Sequence, residues 1–341
     1  MSACRTALRQ LLAGEHLSVD GADAAMSEVL AGACPATLTA ALLTALAGRS
    51  ETADELYGFA RAVRRVATPM PQAQHALCPC GTGGSGLSTA NTSTAVAFVL
   101  AAAGVAVAKH GNRASSGQCG SADVLEALGI AVDVPVQEAG ALLDQLNLCF
   151  LFAPRMHPAL RALAPIRREL GFATVFNSLG PLCNPASVER QLLGVADARR
   201  ALPMVQALQR LGAQEVLAVT GAEGLDELSV CGPSQVVRLR EGQISVETWT
   251  PELAGLPRHP QEAIRGGNAA TNTAILLQVL QGRPSAHADL TALNAGAALM
   301  LAGRASELRQ GVVLARELLA SGAAFQLLES YRQASALKRA A

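Results

Sequence analysis

Short apolar strands alternating with helices limit what this chain can fold into more than any other feature. An apolar helix, Ala95–Ala103, closes on Gly104 and leads to a strand, Val105–Ala108. A second helix, Ser121–Leu128, closes on Gly129, and Leu148–Phe152 and Glu215–Thr220 read as further buried strands. Strands separated by helices argue for an α/β domain with a central, largely parallel sheet.

Residues before about 66 carry only helical periodicity. Leu56, Phe59, Ala60, Val63 and Val66 recur at helical spacing, and Thr52-x-x-Glu55 has the form of a capping box. Thr68-Pro-Met-Pro71 breaks the pattern, because two prolines at that spacing favour an extended connector and mark a boundary. From Gly267 onward the chain again reads as mostly helical, and it contains no internal repeat or low-complexity run.

Composition narrows the function. A chain of 341 residues, 50% of them apolar, can bury a core larger than one typical domain. Its 27 basic and 27 acidic residues cancel, and aromatic residues make up only 3%. No field collects nucleic acid or holds a membrane surface, so neither is an expected partner and a small-molecule function is favoured. The eight cysteines are scattered, with only Cys78 and Cys80 close together and no paired Cys-x-x-Cys zinc spacing. That usage suits a reducing cytoplasm, and a metal site built from His75, Cys78 and Cys80 is the weaker reading. Arg9, Glu15 and His16 interrupt any signal core, and no run has membrane-spanning length.

Three stretches carry chemistry. Gly81-Thr-Gly-Gly-Ser-Gly86 precedes Thr89, Asn91, Thr92, Ser93 and Thr94 at the head of an apolar helix. Glycines let backbone amides approach an anion, and hydroxyls at a helix N-terminus add donors in a favourable dipole. By itself the loop says only anion; it is neither a Walker loop nor a dinucleotide fingerprint. Lys109-His-Gly-Asn-Arg113, with Ser115, Ser116, Gly117 and Gly120 after it, reads as a loop at the carboxyl end of a strand, where α/β proteins gather ligands. A solvated basic turn explains Lys109 and Arg113 but not so many compact hydrogen-bonding groups together. Gly224-Leu-Asp226-Glu227 follows another strand, and its adjacent carboxylates repel unless water or a hard cation neutralises them.

In this order these motifs resemble the anthranilate phosphoribosyltransferase family, together with Gly120-Ser-Ala-Asp-Val-Leu-Glu-Ala-Leu-Gly129, Arg167-Arg-Glu-Leu-Gly171, Phe176-Asn177, Leu179-Gly-Pro-Leu182 and Asn184-Pro185. The resemblance implies a small all-helical domain over 1–68, completed by helices near 158–190, beside a larger α/β domain over 72–341 of nucleoside phosphorylase-like architecture. It also implies homodimers formed through the helical part, a cleft between the domains, and a place in tryptophan biosynthesis. Phosphoribosyl pyrophosphate (PRPP) would meet Gly81, Gly84, Ser85, Thr89, Asn91, Thr92, Ser93, Thr94, Lys109, Ser116 and Ser121. Anthranilate would meet Gly81, His110, Asn112 and Arg167, the last suited to a carboxylate by its planar, permanently charged donor fork. Ser93, Asp226 and Glu227 would hold Mg2+. An aromatic amine is uncharged near neutrality, so no general base and no covalent nucleophile is assigned.

Four departures stand out: Ser85 where the family has aspartate, Cys78-Pro79-Cys80 where it has an aspartate and two apolar residues, the serine placement over Ser115, Ser116 and Gly117, and Cys119 for a small polar residue. They leave room for a paralogue acting on another aromatic acceptor. A pyrimidine nucleoside phosphorylase and a catalytically silent binding relative are the more distant readings.

Overall fold

Four helices open the chain: α1 (Ala3–Leu12), α2 (Val19–Leu30), α3 (Ala36–Ala47) and α4 (Ala53–Arg65). The computed structural model describes residues 2–339 apart from Pro69, Pro71, Gln72, Gln74, Ser88 and Ser115–Gly117, so the two prolines expected at the boundary lie outside the described residues. The capping box forms at α4. Thr52 Oγ1 accepts from the Glu55 amide at 3.2 Å, and the Glu55 carboxylate accepts from the Thr52 amide at 2.9 Å. Glu55 also accepts from the Leu17 amide at 2.8 Å and pairs with Arg49, so this fully buried carboxylate ties three segments together. Leu56, Phe59, Ala60 and Val63 are buried as the spacing predicts, whereas Val66 is 44% exposed because the helix ends before it.

The rest of the chain builds one sheet with helices on both faces. After β1 (Leu77–Gly81) come α5 (Thr92–Ala102), β2 (Val107–Gly111), α6 (Ser121–Ala127), α7 (Val136–Leu146) and β3 (Leu148–Phe152). The chain then makes the short α8 (Ala153–Met156), a 3-10 turn over Pro158–Leu163, α9 (Ala164–Leu170) and α10 (Val175–Leu182). It returns to the sheet through β4 (Arg190–Gly194), α11 (Ala198–Arg210), β5 (Glu215–Gly221) and the hairpin of β6 (Ser234–Arg240) and β7 (Gln243–Trp249). Four helices finish it: α12 (Ala269–Leu280), α13 (Ala286–Leu301), α14 (Leu308–Ala320) and α15 (Ala323–Arg339).

The strand order is β3-β2-β1-β4-β5-β6-β7, parallel from β3 to β5 and antiparallel across the last two pairings. This is the largely parallel α/β sheet the alternating pattern anticipates. Leu77, Val107, Leu148, Leu192 and Leu217 face α5 and the C-terminal helices, while Cys78, Ala108, Cys149, Leu193 and Ala218 face the other core, which continues into the N-terminal helices. On that side α4 packs against α10 and α11, and α3 against α9. Arg64 of α4 clamps the contact: its Nε donates to Leu182 O at 2.8 Å and its Nη1 to Leu211 O at 3.3 Å, serving the carbonyl ends of α10 and α11.

At the opposite edge, Tyr331 of α15 accepts a hydrogen bond from the Phe150 amide of β3 at 3.1 Å and so covers an otherwise open strand. No single described helix is long and apolar enough to cross a membrane. The bent pair α14–α15 reaches the length only together, and it packs on α13 and α5.

Candidate active site

The strand order reverses between β1 and β4, and the carboxyl ends of the parallel strands open a crevice there. A cleft of about 570 Å3 occupies it, bounded by the loop after β1, the end of β2, residues 118–121 and 171–173, Asp226, Glu227, Gly267 and Asn272. Gly83, Gly84 and Gly86 turn the loop with φ of 63°, 78° and 70°, a region that strains any side chain.

At Gly81 and Gly194 the constraint is space. A Cβ on Gly81 would stand 2.6 Å from Asp226 Oδ2, and one on Gly194 only 1.7 Å from the Asp226 carbonyl oxygen. The bare backbones let the Asp226 segment lie across the tips of β1 and β4, where Gly83 N donates to Asp226 Oδ2 at 2.9 Å.

Helix α5 starts at Thr92, three residues earlier than its apolar run suggests, so Thr92, Ser93 and Thr94 form its first turn and Asn91 stands at the N-cap position without a side-chain cap. Asn91 and Ser93 line the cleft. Thr92 and Thr94 do not: Thr92 is buried with its hydroxyl on Ala90 O at 3.2 Å, and buried Thr94 faces a small apolar cavity with Phe98, Phe150 and Tyr331.

The sequence reading of Lys109 and His110 as loop residues is corrected here. Strand β2 runs over Val107–Gly111, starting and ending later than the expected Val105–Ala108, so both lie within it and point to opposite faces. Lys109 is 3% exposed, and its Nζ donates to Pro79 O at 2.9 Å and Ser93 Oγ at 3.0 Å. Burial lowers the pKa of its ammonium, which lies near Glu227.

His110 sits 3.0 Å from Gly180 O through Nδ1; a carbonyl only accepts, so Nδ1 carries the hydrogen and Nε2 is left as an acceptor. Its ring meets that of His157 edge-on at 5.1 Å. Burial pushes His110 down to about 3 and His157 down to about 4, so both rings are neutral near pH 7.

Asn112 and Ser121 line the cleft and approach each other, Ser121 Oγ donating to Asn112 O at 3.4 Å. Arg113 is held at the surface by Glu126, with its guanidinium 4.7 Å above the Phe152 ring. Ser116 lies outside the described residues. Arg167 does not itself line the cleft; it stacks 5.4 Å over Phe176 beside the wall formed by Gly171, Phe172 and Ala173, whereas Arg168 is exposed.

Asp226 and Glu227 are not a wet surface pair. Burial raises both carboxyls, Glu227 further through the charge of Asp226, and Glu227 Oε2 is buried with no hydrogen-bond partner among the described residues. Together with Ser93 they border a small cavity at the cleft floor. Ser85 turns its hydroxyl on Leu87, donating to Leu87 O at 3.2 Å and accepting from the Leu87 amide at 3.3 Å.

An orphaned carboxylate oxygen beside a second carboxylate and a serine hydroxyl suits a hard cation. Magnesium takes one or two protein carboxylates and completes its shell with waters and substrate phosphate. Among the described residues no group of three His, Cys, Asp or Glu side chains assembles a denser metal site, and His75 faces Glu189 at 3.6 Å rather than the buried Cys78.

The sequence reading overlooked Asn272, buried in the first turn of α12, which reaches Asn91 at the head of α5. Its signal was slight: one amide at the head of an apolar helix far along the chain.

The family model described as "Glycosyl transferase family, helical bundle domain" matches residues 5–67, and "Glycosyl transferase family, a/b domain" matches residues 73–325. The chain is 46% identical over 332 residues to an anthranilate phosphoribosyltransferase of Rubrobacter xylanophilus, covering 97% of each. The crystal structure of anthranilate phosphoribosyltransferase from Thermus thermophilus is similar with a TM-score of 0.90 at 44% identity, covering 98% of this chain and 99% of that one. The Saccharomyces cerevisiae enzyme in complex with PRPP and Mg gives a TM-score of 0.89 at 27% identity, covering 98% of each chain.

Proposed function

This chain belongs to the anthranilate phosphoribosyltransferase family, and we propose that its cleft is where it transfers phosphoribose from PRPP to the amine of anthranilate, releasing pyrophosphate in tryptophan biosynthesis. The observation that carries the assignment to this cleft is the half-buried pair Asp226 and Glu227 lining it, with Asp226 bonded to the left-handed glycine loop.

The donor's phosphates belong on the loop. Gly81, Gly84, Ser85, Thr89, Asn91, Ser93 and Ser121 all border the cleft, and Lys109 contributes a buried positive charge beside Ser93. Thr92 and Thr94 take part through the backbone of the first turn of α5, since their side chains point inward; Ser116 keeps its place on the family register alone. Ser93, Asp226 and Glu227 would hold magnesium, which supplies positive charge to the departing pyrophosphate.

Anthranilate belongs beside Gly81, His110 and Asn112, with Arg167 meeting its carboxylate from the adjoining wall. Neutral His110 adds no charge to this side, so its preference for an acid falls to arginine, Arg167 in the adjoining wall with Arg113 on the cleft lining. The aromatic amine attacks unassisted, and positioning carries most of the rate.

The same reading takes 1–68 with the helices near 158–190 as one domain and 72–341 as the other. It further takes two copies as pairing through the helical part, where Leu12 is exposed, and the protein as cytoplasmic, in keeping with eight free cysteines.

The test is loss of anthranilate fluorescence on mixing protein, PRPP and magnesium. Consumption that needs all three and collapses in Asp226→Asn supports the assignment. Pyrophosphate release only with other aromatic amines would reassign the acceptor, and neither turnover nor PRPP binding would overturn the reading.

A further inference from the structure

Asn272 has no place in the substrate contacts proposed above, yet it is 1% exposed and uses both ends of its amide. Its Oδ1 accepts from the Gly267 amide at 2.7 Å, and its Nδ2 donates to Asn91 Oδ1 at 3.0 Å, with Thr89 O at 3.5 Å. Asn91 in turn donates from Nδ2 to Cys119 O at 3.3 Å.

The direction of this relay is fixed by chemistry. A backbone amide only donates, so Oδ1 of Asn272 must face Gly267; a carbonyl only accepts, so Nδ2 of Asn91 must face Cys119. The two amides therefore meet nitrogen to oxygen in a single consistent orientation, running from Gly267 through Asn272 and Asn91 to Cys119. The backbones around it are equally close. Thr89 and Arg265 form an isolated antiparallel bridge, and a Cβ on Gly266 would stand 2.5 Å from the Thr89 carbonyl carbon.

We infer that Asn272 is a positioning residue for PRPP: it fixes the amide of Asn91 and binds the donor loop to the segments at 119 and 267, while touching neither substrate. This rests on the reading of Asn91 as a PRPP contact. Lost order at Asn91 falls on the donor side of the cleft, so KM for PRPP rises while KM for anthranilate stays put. A buried amide network of this kind is worth on the order of tenfold in affinity when one member is removed.

Asn272→Asp keeps the shape and the bond to Gly267 but replaces the donor facing Asn91 with an acceptor. Its KM for PRPP should rise roughly tenfold or more, with KM for anthranilate changed less than about twofold. The deciding measurement is a cycle of Asn91→Ala, Asn272→Ala and the double variant, each with both KM values, kcat and a thermal melt.

Positioning predicts that once Asn91 is gone, removing Asn272 adds nothing further to KM for PRPP. Additive losses, equal rises in both KM values, or a fall in activity that tracks melting would each overturn the inference. Failure of the PRPP reading itself would show separately, as absence of PRPP-dependent turnover in the unsubstituted protein.

Discussion

Asp226 lies across two strand tips only because Gly81 and Gly194 carry no side chain. Gly194→Ala should therefore displace the Asp226 backbone, cutting turnover at least about a hundredfold, as a shift near 1 Å in a positioned group does. Steady-state rates of the folded variant check it, and an alanine that keeps wild-type turnover would refute the steric argument. Two buried histidines, His110 and His157, bear on the pH behaviour, and His157 is the one outside the cleft lining. An unfolded histidine binds its proton near 6.5, the folded ring only at about 4, so between these values the unfolded chain holds more protons. The stability contributed by the neutral ring is complete above pH 6.5 and lost as pH falls towards 4. Urea unfolding should show about 2 kcal/mol lost between pH 7 and pH 5 from this group, a share of the slope that His157→Gln removes while the share of His110 remains. Residue chemistry was legible where a type announces its task, as in the glycine loop and the acid pair. It misled at Lys109, because a cation in sequence reads as solvated, and only the register of β2 shows it buried.

Arg64 serves the carbonyl ends of two helices from a third. Arg64→Met keeps the bulk but leaves those carbonyls short of donors, and should lower stability by about 1.5–3 kcal/mol in urea titrations. Tyr331→Phe isolates the question at the sheet edge: the Phe150 amide loses its acceptor with almost no change of volume, for an expected cost of about 1–3 kcal/mol. The same elements explain what a pattern search can and cannot find. Leu148–Phe152 is apolar throughout and reads as a strand directly. Strand β1 hides because Pro79 sits in its middle, where proline ordinarily argues against a central strand; its ladder to β2 is short, and its carbonyl is taken by Lys109 instead. Strand β4 hides because Gln191 is polar yet buried, satisfied by Pro181 O at 3.0 Å.

At the level of the whole molecule, the two acids and the glycine loop come from distant stretches of chain and meet only when the sheet is complete. A ligand that bridges them should stabilise the entire α/β part. Pyrophosphate with magnesium at a hundred times its Kd should add about 2.7 kcal/mol to unfolding, and Asp226→Asn should abolish the gain. Differential scanning calorimetry with and without a chelator measures it, and an equal gain in the variant would place the ion elsewhere.

The Arg64 clamp has a consequence in time. The partners of Arg64 lie beyond three strands and five helices at Leu182, and a further strand and helix on at Leu211, so α4 can pack on α2 early but waits for α10 and α11. At ordinary elongation rates that wait is on the order of ten seconds, long compared with helix formation. During it the nascent chain exposes the face of α4 that later meets α10 and α11, apolar surface of the kind that chaperones hold.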